Sequence, residues 1–259
     1  MKKKIIAIIP ARMGSSRFYG KPMRKIFGTT MIQRIYKIAK NTKILDHVFV
    51  ATCDKEIFDH IKSINGNVVM TSKSHKRASD RCAEAVKIIE KKNGITFDVV
   101  VMIQGDEAML TSSMIKSSLE PMRKDNSIQI VNLCSKIKNK HDFLDPNCIK
   151  VLLDKEMNAI YFSRQAIPHQ NEGLVNTYKQ VCVIPFRREF LNIYNKMKPT
   201  FLEKIESVDM NRLIENSYKI KMVKIKRETY PVDTQEDLIR VQSLLNKTKK
   251  NRGKKYSTS

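Results

Sequence analysis

The feature that most constrains this chain is the alternation of short apolar runs with amphipathic stretches through its first half. IIAIIP, residues 5–10, reads as a buried strand. MIQRIYKIAKNTKI, residues 31–44, then carries apolar residues at helical spacing. DHVFVAT and KEIFDHIKSI repeat the pair, and VVMT is a further short strand. SDRCAEAVKIIEKKN is a helix in which Ser79 and Asp80 stand where an N-cap belongs. FDVVVMIQGDE is the most apolar run and is expected to be a central strand, with MIKSSLEPM a helix closing near Pro121. This β-α-β order calls for a mostly parallel sheet with helices on both faces.

From about residue 128 the texture changes. IQIVNL, IKVLLD, AIYFSR and YKQVCVIPF are strand-like and closely spaced, so the part from 128 to 190 is expected to add mixed or antiparallel pairing. RREFLNIYNKM and SVDMNRLIEN read as helices and KIKMVKI as a strand. TQEDLIRVQSLLNK is a last helix opened by Thr234. Residues 1–246 are expected to form one domain without internal repeats. Residues 247–259, with six cations and no apolar period, read as a disordered basic tail.

Composition narrows the function. The net charge is +23, from 49 Lys and Arg against 26 Asp and Glu, which raises nucleic acid as a partner. The lysines are spread over the whole chain rather than gathered on one segment, so nucleic acid is not expected. Five cysteines with no Cys-x-x-Cys pair argue against disulfide or zinc frameworks and for reduced thiols in a cytoplasm. The apolar run after the N-terminal lysines is only five residues long, too short for a signal peptide. No stretch has the length to span a bilayer.

In open α/β sheets ligands bind beyond the carboxyl ends of the strands, so the loops there carry the chemistry. The first, ARMGSSRFYGKP, places Arg12, Arg17 and Lys21 within ten residues, with Gly14 and Gly20 for close backbone approach and Ser15 and Ser16 as donors. Arg12 can grip phosphate oxygens bidentately, and Lys21 can act as a point charge on the same group. The loop is neither a Walker A motif nor a dinucleotide fingerprint. The second, IQGDE, puts Asp106 at a strand end beside that loop. A carboxylate facing a phosphate site needs a cation between them, and Mg²⁺ is held by one or two carboxylates plus phosphates. Gln104 could read a base edge or a hydroxyl. The third, YPVDTQEDL, offers Asp233 either as a second carboxylate or as part of a helix cap with Thr234.

Six ordered motifs then carry a resemblance: IIPARMGSSRFYGKPM, VATCD, MTSKSHKRASDR, QGDEAML, NAIYFSRQAIPH and YPVDTQEDL. Together, over about residues 4–245, they resemble the 3-deoxy-manno-octulosonate (Kdo) cytidylyltransferases. The resemblance implies a Rossmann-like nucleotidyltransferase α/β fold, CTP and an acidic sugar as substrates, Mg²⁺, and a homodimer joined through the strand-rich part. The product would feed a cell-surface glycan such as lipopolysaccharide. By position it implies that Arg12 and Lys21 hold the triphosphate, in a loop that includes Pro10, Ala11, Gly14 and Ser15. It implies that Asp106 and Asp233 bind metal, that Ser79, Arg81 and Gln104 lie near nucleotide and sugar, and that Arg164, Gln180, Glu206 and Arg212 meet the sugar acid. Arg17 falls on a family arginine expected to hold the loop.

The chain also departs from the family pattern. His-x-Ser-Gly-Thr-Asp-Arg is here His75, Lys76, Arg77, Ala78, Ser79, Asp80, Arg81. Gln-Gly-Asp-Glu-Pro ends in Ala108, the His-Ile-Gly-Ile-Tyr-Ala-Tyr-Arg strand becomes Gln180 to Arg187, and a family Glu is Asp209. These changes gather in segments expected near the acceptor. An acceptor such as 8-amino-Kdo, a nonulosonic acid or a phosphonate therefore stands as the alternative, beside a non-catalytic nucleotide-binding homologue.

Overall fold

The structure is a computed structural model, described over residues 3–15, 17–171, 173 and 176–247, with backbone alone from there to Lys255. In chain order the elements begin with β1 (Ile5–Ala11), a single 3-10 turn at Lys21–Met23, β2 (Lys25–Ile26), β3 (Thr29–Thr30), α1 (Met31–Lys40), β4 (His47–Thr52), α2 (Lys55–Ser63) and β5 (Val68–Met70). Next come α3 (Ala78–Asn93), β6 (Val99–Ile103), α4 (Ser112–Lys124), β7 (Val131–Lys136), α5 (Lys140–Leu144), β8 (Lys150–Leu153) and β9 (Ala159–Ser163). The chain ends with β10 (Tyr178–Val181), β11 (Val183–Arg187), α6 (Arg188–Lys196), α7 (Phe201–Glu206), α8 (Asn211–Glu215), β12 (Lys221–Ile225) and α9 (Gln235–Lys255).

The first sheet has the order β11-β6-β1-β4-β5, parallel throughout except for β11 against β6. It is buried on both faces, which is why its strands read as unbroken apolar runs. In β1, Ile5, Ala7 and Ile9 enter one core with α1 and α4, while Ile6 and Ile8 enter the other with α3 and α6. β6 lies between β1 and β11 in the sheet interior, as its composition requires. The second sheet, β12-β7-β10-β8-β9, is mixed: β12 pairs parallel to β7 and the remaining strands are antiparallel. The fold is thus the expected mixed α/β arrangement.

Four local expectations change. YKQVCVIPF is not one strand: it breaks at Cys182, so that β10 belongs to the second sheet and β11 to the first. Helix α3 begins at Ala78 with Arg77 at the cap position, so Ser79 lies inside its first turn and points to Asp209 instead. Pro121 sits inside α4, which runs on to Lys124; its ring removes one backbone donor without ending the helix. Helix α9 continues past the expected end at Asn246 to Lys255; the side chains from 248 onward, and residues 256–259 of the expected tail, lie outside the described residues. Helices α5 and α7 are each too short to show a period, although Thr200 and Glu203 form a capping box that marks the start of α7. No described helix is long and apolar enough to cross a membrane.

Candidate active site

β1 ends at Ala11, and the loop that follows folds back on itself through a bond from the Gly20 amide to the Met13 carbonyl. Asp54, after β4, accepts from the Met13 amide at 2.8 Å and anchors the same loop. Gly20 has φ +68, a left-handed conformation that glycine adopts without strain. It turns the chain directly into the 3-10 turn that carries Lys21. Beside it, β6 ends in the turn Gln104–Glu107. A Cβ on Gly105 would meet the Pro10 carbonyl at 3.0 Å, so glycine is what lets this turn lie against the end of β1. The Val232 amide donates to the Asp106 carbonyl and brings the segment before α9 to the same place.

These three segments converge on one ion cluster. Lys21 Nζ lies 2.8 Å from Asp106 Oδ2 and 2.9 Å from Asp233 Oδ1, and Arg17 lies 3.2 Å from the same Asp233 oxygen. Burial alone would lower the Lys21 pKa; Asp106 and Asp233 outweigh it and raise the ammonium above its ordinary value. Neither carboxylate serves as a helix cap. Thr111 caps α4, and at α9 the Thr234 hydroxyl accepts from the Asp237 amide while Asp237 accepts from the Thr234 amide. Asp233 is thereby left to face the cavity. Glu107, buried behind Asp106, accepts from the Cys182 amide at 2.9 Å and from the Thr229 hydroxyl. Burial and the neighbouring Asp106 push its carboxyl up to about 7.

The cluster opens into a cavity of about 450 Å³ between the two sheets. Its first-sheet side is lined by Pro10, Ala11, Arg12, Gly14, Ser15 and Lys21, joined by Gln104 and Asp106. Arg81 lies at the base of the His75–Arg77 wall, buried and bonded to Thr71 and Ser72. On the far side, Gln180 is fixed by its bond to Asn132, and Arg164 is held by two carbonyls, Nε to Glu206 and Nη1 to Pro146.

Three of the residues expected at the site do not line the cavity. Ser79 is buried and donates to Asp209 at 3.0 Å. Glu206 lies beneath the wall, accepting from the Arg164 amide, the Ser163 hydroxyl and the Tyr161 hydroxyl, so it positions Arg164 from behind. Arg212 is buried, paired bidentately with Glu203 and packed on the Tyr194 ring. Ser16, expected among the loop donors, lies outside the described residues.

Sequence reading missed a second charged cluster in the same cavity. Asp142 of α5 accepts from Lys179 of β10 at 3.2 Å and from Arg240 of α9 at 2.9 Å, and both cations lie over the Tyr230 ring. Burial would raise the Asp142 carboxyl; Lys179 and then Arg240 outweigh it and hold it at about 2. The cluster fixes the Tyr230–Asp233 segment. Tyr230 stood in a recognisable motif, whereas Asp142, Lys179 and Arg240 come from three distant segments with no shared pattern.

A parallel sheet whose first loop sets cations against one carboxylate at a strand end and another just before the last helix is the arrangement expected of a nucleotidyltransferase. The cytidylyltransferase family profile matches residues 6–224. The 3-deoxy-manno-octulosonate cytidylyltransferase of Fusobacterium nucleatum is 39% identical over 239 residues, 92% of this chain and 95% of that protein. The mitochondrial enzyme of that name from Arabidopsis thaliana is 36% identical over 94% of this chain and 84% of its own length. A solved CMP:2-keto-3-deoxy-manno-octonic acid synthetase in complex with CTP superposes with a TM-score of 0.84 at 30% identity, over 95% of this chain and 99% of that one. A 4-diphosphocytidyl-2C-methyl-D-erythritol synthase shares the fold alone, at 12% identity and a TM-score of 0.66. This chain belongs to the 3-deoxy-manno-octulosonate cytidylyltransferase family.

Proposed function

We propose that this chain transfers the cytidylyl group of CTP to the anomeric hydroxyl of Kdo and releases pyrophosphate. The observation that carries the reading is the convergence of Lys21, Asp106 and Asp233, from three distant segments, on one enclosed point. The relatives' names and the CTP-bound neighbour supply the substrates.

Mg²⁺ belongs to this reading, and the donor set fits it. Asp106 Oδ1 is buried and accepts no hydrogen bond from the described residues, as a ligand oxygen awaiting a cation would be. Two carboxylates without a third His, Cys, Asp or Glu among the described residues suit an ion that completes its shell with phosphate and water. Asp106 and Asp233 would hold it; when bound, it supplies charge neutralisation and makes the acceptor hydroxyl more acidic. The rest of the work falls to side chains. Arg12, exposed at the rim, and Lys21 neutralise the triphosphate and the departing pyrophosphate. The Pro10–Ser15 segment holds the nucleotide against the end of β1, and Gln104 offers an amide to it. Arg164, its fork fixed by two carbonyls, meets the acceptor carboxylate and orients its hydroxyl toward the α-phosphorus.

The unpaired thiols fit a reducing cytoplasm. The exposed Ile160 of β9 and Phe201 and Ile205 of α7 fit a subunit contact between two copies. The reading is tested by pyrophosphate release from CTP and Mg²⁺ with Kdo, its 8-amino analogue and a sialic-type acid run side by side. Kdo is expected to give the fastest release; absence of release with every acid would overturn the enzyme reading, and a different best acid would move the acceptor. Asp106→Asn is expected to lower turnover roughly 10³-fold while CTP binding survives. Near-wild-type turnover in that variant would remove the carboxylate from the mechanism.

A further inference from the structure

Lys21 occupies a place that the proposed mechanism also needs for a cation. Its ammonium lies 2.8 and 2.9 Å from one oxygen of each carboxylate, and the three side chains are only 14%, 16% and 12% exposed. Arg17 adds a second positive charge on Asp233. The two carboxylates are therefore neutralised by the chain itself. A divalent ion bound by both would stand about 2 Å from oxygens in the same enclosed space. An ammonium within about 4 Å of it would repel it by several kcal/mol at the dielectric of a partly buried site. Lysine and divalent ion are thus alternatives on this pair of oxygens.

The lysine has somewhere else to go. Its four-carbon stem is flexible, and its loop also carries Arg12 and Ser15 along the cavity wall. A triphosphate lying there offers a stronger anion than either carboxylate. We propose that Lys21 is a built-in counter-cation that keeps the Asp106–Asp233 pair closed to free divalent ions until a nucleoside triphosphate draws it away. Metal then enters these carboxylates with the nucleotide or after it, never before. The inference rests on the reading of Asp106 and Asp233 as metal-holding residues and adds the order in which the site loads.

The test is Mn²⁺ binding to the nucleotide-free protein, read by loss of the free-ion electron paramagnetic resonance signal. Wild type is expected to take up little Mn²⁺ in the sub-millimolar range. Lys21→Met is expected to gain one site at least tenfold tighter, and Lys21→Gln, which keeps a donor without the charge, is expected to gain the same site. Asp106→Asn in the Lys21→Met background is expected to lose it. Circular dichroism and a Mn²⁺-dependent rise in melting temperature confirm that the variants are folded and report the site independently. Wild type binding Mn²⁺ as tightly as Lys21→Met, or no gain in either folded Lys21 variant, would overturn the counter-cation role. A site gained in Lys21→Met that survives Asp106→Asn would instead overturn the assignment of the metal to these carboxylates.

Discussion

Replacing Arg212 separates two accounts of one residue. The family resemblance puts it in the sugar-acid pocket; its surroundings make it the centre of a buried ion pair. Nε donates to Glu203 at 2.8 Å and Nη2 at 2.7 Å, and Nη1 reaches the carbonyls of Met197 and Tyr194. Both partners' side chains are 1% exposed. Arg212→Met keeps much of the packing on Tyr194 but leaves Glu203 short of a partner. Breaking a buried pair from one side costs about 3–5 kcal/mol. Arg77 also contacts Glu203 and would remain, so the lower end, about 3 kcal/mol, is expected. For a chain of this size that corresponds to roughly 6–12 °C in Tm. The assay is equilibrium unfolding in urea together with initial rates at a temperature where the variant is folded. The acceptor KM is expected to stay within about twofold of wild type, because Arg212 does not line the cavity. A variant as stable as wild type with an acceptor KM raised tenfold would refute the structural account.

Two further expectations follow from the same logic. Glu206→Gln weakens the seat of Arg164, since Glu206 accepts its amide at 2.8 Å; initial rates are expected to show a raised acceptor KM with the CTP KM unchanged. Asp142 has a depressed carboxyl, about 2 against an ordinary 3.8, so its contribution to stability is present above about pH 4 and lost as pH falls through about 2. That contribution is roughly 2 kcal/mol, and Asp142→Asn is expected to flatten this part of the stability–pH curve as followed by urea unfolding.

How much of this was legible depends on distance along the chain. The parallel half was readable because two buried faces force β1, β4 and β6 into apolar runs, while each intervening helix buries one stripe. The break at Cys182 was not readable, because Gln180 to Arg187 is apolar enough for one strand. What splits it is tertiary: the Cys182 amide goes to Glu107 and its carbonyl accepts from Gln104, so both of its backbone groups are engaged by the β6 turn. At the site, the loop after β1 and the two aspartates could be found because strand ends and local motifs mark them. Glu206 and Arg212 share one charged segment with the cavity residues Ser207 and Asp209, and only packing separates the side chains that line the cavity from those that hold its wall.

The residue where the chain departs most visibly from its family shows why that separation matters. Arg77 stands where the family pattern has serine, and the substitution alone suggests an added positive charge for the acceptor. Its guanidinium contacts Glu203, which Arg212 already neutralises. Two arginines on one carboxylate leave one net positive charge, divided between a buried guanidinium and one at the cavity wall. Arg77 therefore does not add a full, mobile cation to the acceptor side, as an unpaired lysine would; it extends a buried ion pair to the surface and ties the start of α3 to α7. On this geometry the exchange of serine for arginine stiffens the cavity wall at α7, the same helix whose Glu206 holds Arg164 in place.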